Sequence, residues 1–298
     1  MRIANKTLYE NVIQSLSSTS SQMVKAQEIV STGKRINNLS DDPVGLVSVL
    51  DLRSSLANIE QMSRNISTGS SWLTASESAL TQVLDIITEA KELTVQMSSS
   101  NTSSSERANS STLVDGYLDQ IIALANTQVG GRYIFAGTDT DTMPFELNDG
   151  ETQVDYYGND TPFSIKISKD SNIEIGKDGE DIFGDDWDDS NIFKTLIDLK
   201  TYLQNDDISG IQAAMDNLES HFDSVSAQIS EIGGKVIRLD IRENIIADLE
   251  LVYTEKKSQL EEVDIAEAII ELEAKELAYN AALSASAKIM QLSLVDFL

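Results

Sequence analysis

The chain of 298 residues is long enough for two modest domains or for one domain with an insertion. It contains no cysteine and a single histidine, His221, which excludes disulfides, thiolate nucleophiles and multi-histidine metal sites. Its formal net charge of −27 disfavours nucleic acid and anionic membranes as partners, because the phosphates of both would repel it.

The first forty residues predict one long helix. Apolar residues recur there at helical spacing, and the first of the three prolines is Pro43. The stripe consists of Leu8, Val12, Leu16, Thr19, Met23, Ala26 and Val30. A stripe of this kind needs a partner helix, because a single helix without one is marginally stable in water.

The region after residue 40 predicts three further helices. Asp42 or Ser40 can cap the first, which has Pro43 at its first position. A second apolar run extends from Leu73 to Val95 and stops at 98–112, where ten of fifteen residues are Ser or Thr. A third helix is expected from Leu113 to Thr127.

Residues 139–193 predict a small β-containing domain inserted into the helical protein. The segment holds two of the three prolines, and its sixteen acidic residues against three lysines give it a net charge of −13. Polar and apolar residues alternate at 153–156 and 163–167, as is typical of strands. The flanking helical regions then belong to one structure, which the chain leaves and re-enters.

After this insertion the sequence returns to helical patterns. Helices are expected at 192–203 and 211–233, and another from Lys235 to Leu260, with Gly233 and Gly234 breaking or bending the path. The last forty residues carry a stripe with steps of three, four and four, which is an eleven-residue repeat. Its members are Val263, Ala266, Ile270, Ala274, Leu277, Ala281 and Ala285.

The two chain ends are predicted to associate. Residues 1–40 carry a net charge of +3, and residues 255–298 carry −5. Surface ion pairs contribute only a few tenths to about 1 kcal/mol each, so the apolar stripes must supply most of the association. The expected fold is mainly α, an elongated antiparallel bundle or coiled coil of the terminal regions with a small inserted β-containing domain. Its expected parts are 1–40 with 255–298, 41–138 with 194–254, and 139–193.

The candidate chemical sites all have a simpler structural interpretation. Asp41 and Asp42 are more plausible as helix caps than as a catalytic carboxylate pair. The acidic run from Asp178 to Asp189 lacks the order of a calcium loop, and His221 has no second ligand nearby in sequence. The segment 130–137 is glycine-rich but is expected to follow a helix, so it does not fit a phosphate loop. We therefore predict no enzyme activity, no metal and no cofactor.

Several short motifs occur together in the first 140 residues. Gly33-Lys34-Arg35-Ile36 precedes Asp41-Asp42-Pro43-x-Gly45, and the later segments are Ser63-Arg64-Asn65-Ile66, 73–80, 92–96 and 105–107. In this order they resemble the N-terminal signature of the flagellin superfamily. The run Gly131-Arg132-Tyr133-Ile134-Phe135-Ala136-Gly137-Thr138 and the ending Asp296-Phe297-Leu298 are similar to hook-associated members rather than to filament flagellins. The resemblance covers about 1–140 and 225–298.

This resemblance implies a structural role in the bacterial flagellum. The terminal helices would pair around an export channel, and the insertion would face outward. The implied partners are further copies of the chain in a ring or helical layer, a hook-side junction protein, flagellin and an export chaperone. The N-terminus lacks the apolar core of a secretory signal, which alone indicates the cytosol, whereas the resemblance implies unfolded export and an extracellular location. Two alternatives remain: a minor filament flagellin, and a secreted acidic binding module or adhesin.

Overall fold

The computed structural model describes residues 2–168, 170–184 and 191–295, and it divides the chain into two compact units. One unit, called the terminal unit below, combines Met1–Ile59 with Asp248–Leu298. The other, called the central unit, is the continuous segment Glu60–Ala247. The chain therefore leaves the terminal unit after residue 59 and returns to it at residue 248.

The terminal unit contains a pair of antiparallel helices. Helix α1 (Arg2–Thr32) ends where Gly33 adopts a left-handed φ of 68°, and helix α7 (Ile265–Val295) packs against it. The N–H of Val263 donates to the Gly33 carbonyl at 3.2 Å, and Lys275 Nζ donates to Gln22 Oε1 at 3.2 Å. These two contacts show that α1 and α7 run in opposite directions. The two chain ends therefore associate, as the sequence predicts.

Helix α2 (Pro43–Met97) is a single helix of 55 residues. The prediction of two separate helices in this range is wrong. The apolar positions of both predicted helices lie on one continuous face of α2. Four buried residues on this face follow one another at intervals of seven: Ile66, Leu73, Leu80 and Ile87. A heptad that continues without interruption keeps one face of a helix buried throughout.

Helix α3 (Ser104–Ala125) begins at Ser104 rather than at the predicted Leu113. Ser103 caps it: the N–H of Glu106 donates to Ser103 Oγ at 3.2 Å, and the N–H of Ser103 donates to Glu106 Oε2 at 2.8 Å. The buried Arg107 then donates to the Met97 carbonyl at 2.8 Å. This capping box and buried anchor outweigh the low helix propensity of the serine-rich run.

Short strands form three antiparallel pairs in the described part of the central unit. They are β1 (Gln128–Val129) with β2 (Arg132–Tyr133), β3 (Phe145–Leu147) with β4 (Val154–Tyr156), and β5 (Ser164–Ser168) with β6 (Ser171–Glu174). Strands β4 and β5 overlap the two alternating segments found in the sequence, at 153–156 and 163–167. The first pair precedes residue 139, so the glycine-rich segment follows a strand and not, as predicted, a helix.

An aromatic cluster forms the core beside these strands. The rings of Phe135 and Phe145 each lie edge-on to the ring of Phe183, at centroid distances of 5.5 and 5.3 Å. The hydroxyl of Tyr156 accepts a hydrogen bond from the N–H of Gly179 at 3.1 Å, and burial raises the pKa of this hydroxyl to about 12. Aromatic packing and a satisfied buried hydroxyl together hold the inserted segment in one arrangement.

The remaining helices are α4 (Gly179–Phe183), α5 (Ile192–Asn205) and α6 (Ile208–Glu261). The predicted break at Gly233 and Gly234 is wrong, because α6 continues through both residues. Each glycine costs about 1 kcal/mol relative to alanine in a helix, but buried Ile232 and Leu239 keep the same face packed on either side. The expected fold class is confirmed: a mainly α protein with long terminal helices and a small inserted domain of short strand pairs.

Candidate assembly surface

The N-terminal stripe lies on the least exposed face of α1. Ala26 is buried, and the stripe residues Val12, Leu16, Thr19, Met23 and Val30 are half-buried. The residues between them are mostly exposed, including Tyr9 and Ile13. The side chain of Leu8 lies outside the described part of the structure. This half-buried stripe accounts for the association of α1 with α7.

The C-terminal stripe occupies a different kind of position. Val263 is half-buried, whereas Ala266, Ala274, Ala281 and Ala285 are exposed. Ile270 is 67% exposed and Leu277 is 72% exposed. The stripe is therefore an apolar face of α7 that the chain itself leaves uncovered.

Another face of α7 packs within the chain. The less exposed residues of this helix recur with steps of four and three: Ala268, Leu272, Lys275, Tyr279, Ala282 and Ser286. Lys275, whose ammonium contacts Gln22 of α1, belongs to this set. Helix α7 thus has a heptad-like face toward α1 and a second apolar face, with the eleven-residue repeat, toward the outside.

In the terminal unit, a cluster of side chains joins the α1–α2 connection to the α6–α7 connection. We call this cluster the clasp; it consists of Lys34, Arg35, Arg53 and Glu261. The N–H of Arg35 donates to the Glu261 carbonyl at 2.7 Å, and Lys34 pairs with Glu262 in a β-bridge. The carboxylate of Glu261 accepts from Lys34 Nζ at 2.6 Å and from Arg53 at 2.5 Å. Backbone and side-chain contacts therefore tie the α1–α2 connection to the α6–α7 connection.

Glu261 is the centre of the clasp, because its side chain is only 1% exposed. Burial alone would raise the pKa of this carboxyl, but hydrogen bonds from Lys34 and Arg53 outweigh it and leave the pKa below its usual value. Sequence analysis missed Glu261 and Arg53. Glu261 is one of nine acidic residues in 255–298, and nothing local marks it as a partner of residues more than two hundred positions away.

The motif around residue 40 shapes the turn into α2. Asp42 caps the helix, since its Oδ1 accepts from the N–H of Gly45 at 2.8 Å, as the sequence predicts. Ile36 is buried, and a Cβ on Gly45 would lie 2.7 Å from its Cδ1. The side chain of Arg35 reaches the Leu260 carbonyl at 3.0 Å. Arg35, Ile36, Asp42 and Gly45 thus have structural roles in or next to the clasp, and Pro43 is the first residue of α2.

Asp41 orders the loop before this cap. Its Oδ2 accepts from the N–H groups of Asn37 and Asn38 at 3.1 and 2.9 Å, and its Oδ1 lies 2.9 Å from Lys25 Nζ. The hydrogen bond from Lys25, followed by those from the two backbone amides, lowers the pKa of Asp41 to about 2. The ionised carboxylate of Asp41 therefore stabilises the conformation of this loop.

The stability that Asp41 contributes should therefore depend on pH. Its folded pKa lies below the ordinary value of 3.8, so the contribution is present above pH 4 and is lost as the pH falls toward 2. We expect Asp41→Asn to melt at a lower temperature than the parent at pH 5, and the difference to vanish near pH 2. Thermal melts of both proteins across this range measure it. A difference that stays constant from pH 5 to pH 2 would contradict the assignment.

The later motif residues help to build the central unit. Arg64 donates to Glu60 and Gln61 on its own helix, whereas Asn65 Nδ2 donates to the Lys166 carbonyl of β5 at 2.9 Å. Asn65 thereby fastens the inserted domain to α2. The motif is structural at these positions.

The segment from Tyr133 to Gly137 also has a structural role. The N–H of Tyr133 donates to the Thr140 carbonyl at 2.8 Å, and Phe135 is buried in the aromatic cluster. Gly137 has a φ of 63°, and a Cβ there would lie 2.2 Å from the Asn159 carbonyl oxygen. Only glycine fits this position without displacing the neighbouring loop.

The single histidine, His221, contacts a threonine and belongs to no group of candidate metal ligands in the described residues. His221 Nε2 lies 3.1 Å from Thr195 Oγ1 at the α5–α6 contact. Within the described residues, no group of three histidine or carboxylate side chains could hold a metal ion. Residues 185–190, which include four members of the acidic run, lie outside the described residues.

None of the described helices is both long enough and apolar enough to span a membrane.

The paired terminal helices and the inserted strand domain define a helical structural protein. The bacterial flagellin N-terminal helical region matches residues 3–140, and the bacterial flagellin C-terminal helical region matches residues 215–298. Together they cover about three quarters of the chain. The chain belongs to the bacterial flagellin family, and it is a structural component of the flagellum.

Several members of this family are similar to the chain over most of its length. It is 28% identical to flagellar hook-associated protein 3 of Escherichia coli, over 94% of this chain and 96% of that protein. It is 26% identical to the flagellin of Bacillus subtilis, over 91% and 90%. The crystal structure of Bacillus cereus FlgL superposes with a TM-score of 0.59 at 26% identity, covering 68% of this chain and 97% of that one.

Proposed function

We propose that this chain is an adaptor subunit that joins the hook-side junction ring to the flagellin filament. The observation that carries the proposal is the uncovered apolar face of α7. Ile270 and Leu277 are each about two thirds exposed or more, although aliphatic side chains of this size are usually buried. A contiguous apolar face on a helix already paired with α1 is typical of a surface that another subunit covers.

The assembly interface in this proposal consists of both terminal stripes. The α1 stripe (Val12, Leu16, Met23 and Val30, with Leu8 by sequence) fixes the helix pair, and the α7 stripe faces further copies. The partners are other copies of the chain in a ring or helical layer, a hook-side junction protein and flagellin. The chain reaches its extracellular place by flagellar export, with a chaperone holding its C-terminal region beforehand.

Similarity to hook-associated protein 3 supports this role over that of a filament subunit. The alternative of a minor filament flagellin is favoured by one observation, the 26% identity to a flagellin over nine tenths of both chains. Both roles use the same exposed face of α7. They differ in whether filament growth requires the chain.

Deleting the gene separates these roles. If the chain is the junction, cells lacking it should carry hooks without filaments and release flagellin monomers into the medium, because flagellin would have no surface on which to polymerise. Electron microscopy of the cells and an assay of flagellin in the same culture measure both effects. Restoring the gene on a plasmid is the control.

Intact or merely shortened filaments in the deletion strain would contradict the junction role. Filaments that grow on normal hooks and lack only this chain would indicate a minor filament subunit instead.

A further inference from the structure

A second uncovered apolar surface lies on α6, within the central unit. Ile237, Ile241 and Ile245 follow one another at intervals of four, so they form a ridge along one face of the helix. They are 61%, 56% and 41% exposed. We call these three residues the isoleucine ridge.

The glycine pair of α6 lies at one end of this ridge. Gly234 precedes Ile237 by three residues and Ile241 by seven, so it continues the same face. A Cβ added to either Gly233 or Gly234 would meet nothing within 4 Å. No close contact inside the described chain therefore requires these helix-weakening residues. Bare backbone in line with an apolar ridge suits the close approach of an element from outside the chain.

The same unit presents a groove between α2 and α3. Buried Ile86 and half-buried Leu124 line its base, and exposed Gln82, Asp85 and Ala123 lie at its edges. The groove is open and has a volume of about 360 Å³. Its apolar base suits aliphatic side chains such as those of the isoleucine ridge.

The charges of the two surfaces do not oppose docking, because only the groove is acidic. Between residues 231 and 243, α6 holds three acidic and three basic side chains, so it is neutral in a chain of net charge −27. Arg238, on the exposed side next to the ridge, makes no ion pair or hydrogen bond within the described residues. Residues 82–92 and 115–124 beside the groove hold five acidic side chains and one lysine. The neutral ridge can approach this acidic groove without the electrostatic repulsion that a second acidic surface would meet.

We propose that the isoleucine ridge of one copy docks into the α2–α3 groove of a neighbouring copy, with Arg238 beside Asp85 of that copy. Ridge and groove are different surfaces, so the contact is head-to-tail, and each copy can use both at once. Contacts of this kind generate rings or helical layers rather than closed dimers. The proposal rests on the self-assembly put forward above and adds a lateral contact in the central unit to that of the terminal helices.

The absence of cysteine allows a direct test in the full-length chain. Ile241→Cys and Ala123→Cys, combined in one chain and expressed in the deletion strain, should form disulfides between neighbours when detached flagella are oxidised. We expect a series of dimers and larger multimers on a non-reducing gel. Each single variant should stay monomeric. Glu243→Cys with Ala123→Cys is the matched control, because Glu243 is exposed on α6 but lies about 200° around the helix from Ile241.

Monomers only from the double variant, on normal flagella, would overturn the contact. Dimers from Ile241→Cys alone would overturn it too, since they would place ridge against ridge.

If the double variant fails to grow filaments, a charge exchange decides: Arg238→Asp should reduce filament number, and Asp85→Arg in the same chain should restore it. Lack of restoration contradicts the docking. Multimers in a strain whose deletion leaves filaments intact would retain the contact and remove the junction role.

Discussion

Replacing Leu277 by Asp should leave a folded, soluble chain that no longer supports filament growth. Leu277 is 72% exposed within the chain, so the change removes little buried surface and should alter the stability of the isolated protein by less than about 0.5 kcal/mol. In an assembled interface the same carboxylate would lose its hydration without gaining a partner. That penalty amounts to several kcal/mol at each subunit contact and is repeated around the assembly. Complementation of the deletion strain, scored by swimming and by electron microscopy, measures the effect.

Leu283→Asp is the matched control for this experiment. Leu283 lies on the same helix and is 40% exposed, but it is about 120° around the helix from Leu277 and outside the C-terminal stripe. The chemical change is identical, so effects on export or solubility should be shared. We expect Leu283→Asp to swim and Leu277→Asp not to. Equal swimming by both variants would remove the α7 stripe from the assembly surface.

The sequence predicted the terminal helices because their pattern is local. Apolar spacing along 8–30 identified the face of α1 that is half-buried in the structure, and no proline interrupts it. In α7 the same reasoning selected an apolar face but could not assign it. Apolar residues occur on several sides of this helix, so periodicity alone does not tell the face against α1 from the face left open. Leu272 is half-buried and Leu277 is exposed, and only the packing of the folded chain distinguishes the two.

The failures elsewhere share a physical cause. Glycine at 233 and 234 and serine around 104 disfavour helices locally, yet buried contacts override this cost, which is about 1 kcal/mol for each glycine and less for each serine. Contacts that join distant parts of the chain leave no local trace. Glu261 and Arg53 meet only because α2 and α6 bring them together, and neither stands out by spacing or composition.

Neutralising Glu261 should loosen both terminal helices. Glu261→Gln keeps the size of the side chain but replaces charge-assisted hydrogen bonds to Lys34 and Arg53 by weaker ones. Removing one partner of a buried ion pair can cost 3–5 kcal/mol, but both cations here are 40–45% exposed and can turn to water. We therefore expect a loss of about 1–3 kcal/mol. Amide hydrogen exchange along α1 and α7 of the full chain measures it, and Glu262→Gln is the control, with the same charge change at an exposed neighbour.

The dependence on pH gives this prediction a second, independent measurement. The folded pKa of Glu261 lies below its ordinary value of 4.5, so its contribution is complete above that value and disappears as the pH falls further. Exchange of the parent at low pH should approach that of Glu261→Gln, while the two differ clearly at neutral pH. If Glu261→Gln and Glu262→Gln exchange alike at neutral pH, the clasp does not hold the terminal helices. If they differ as expected, the clasp limits how far α7 can depart from α1, and thereby fixes the direction in which Leu277 and Ile270 are presented to other subunits.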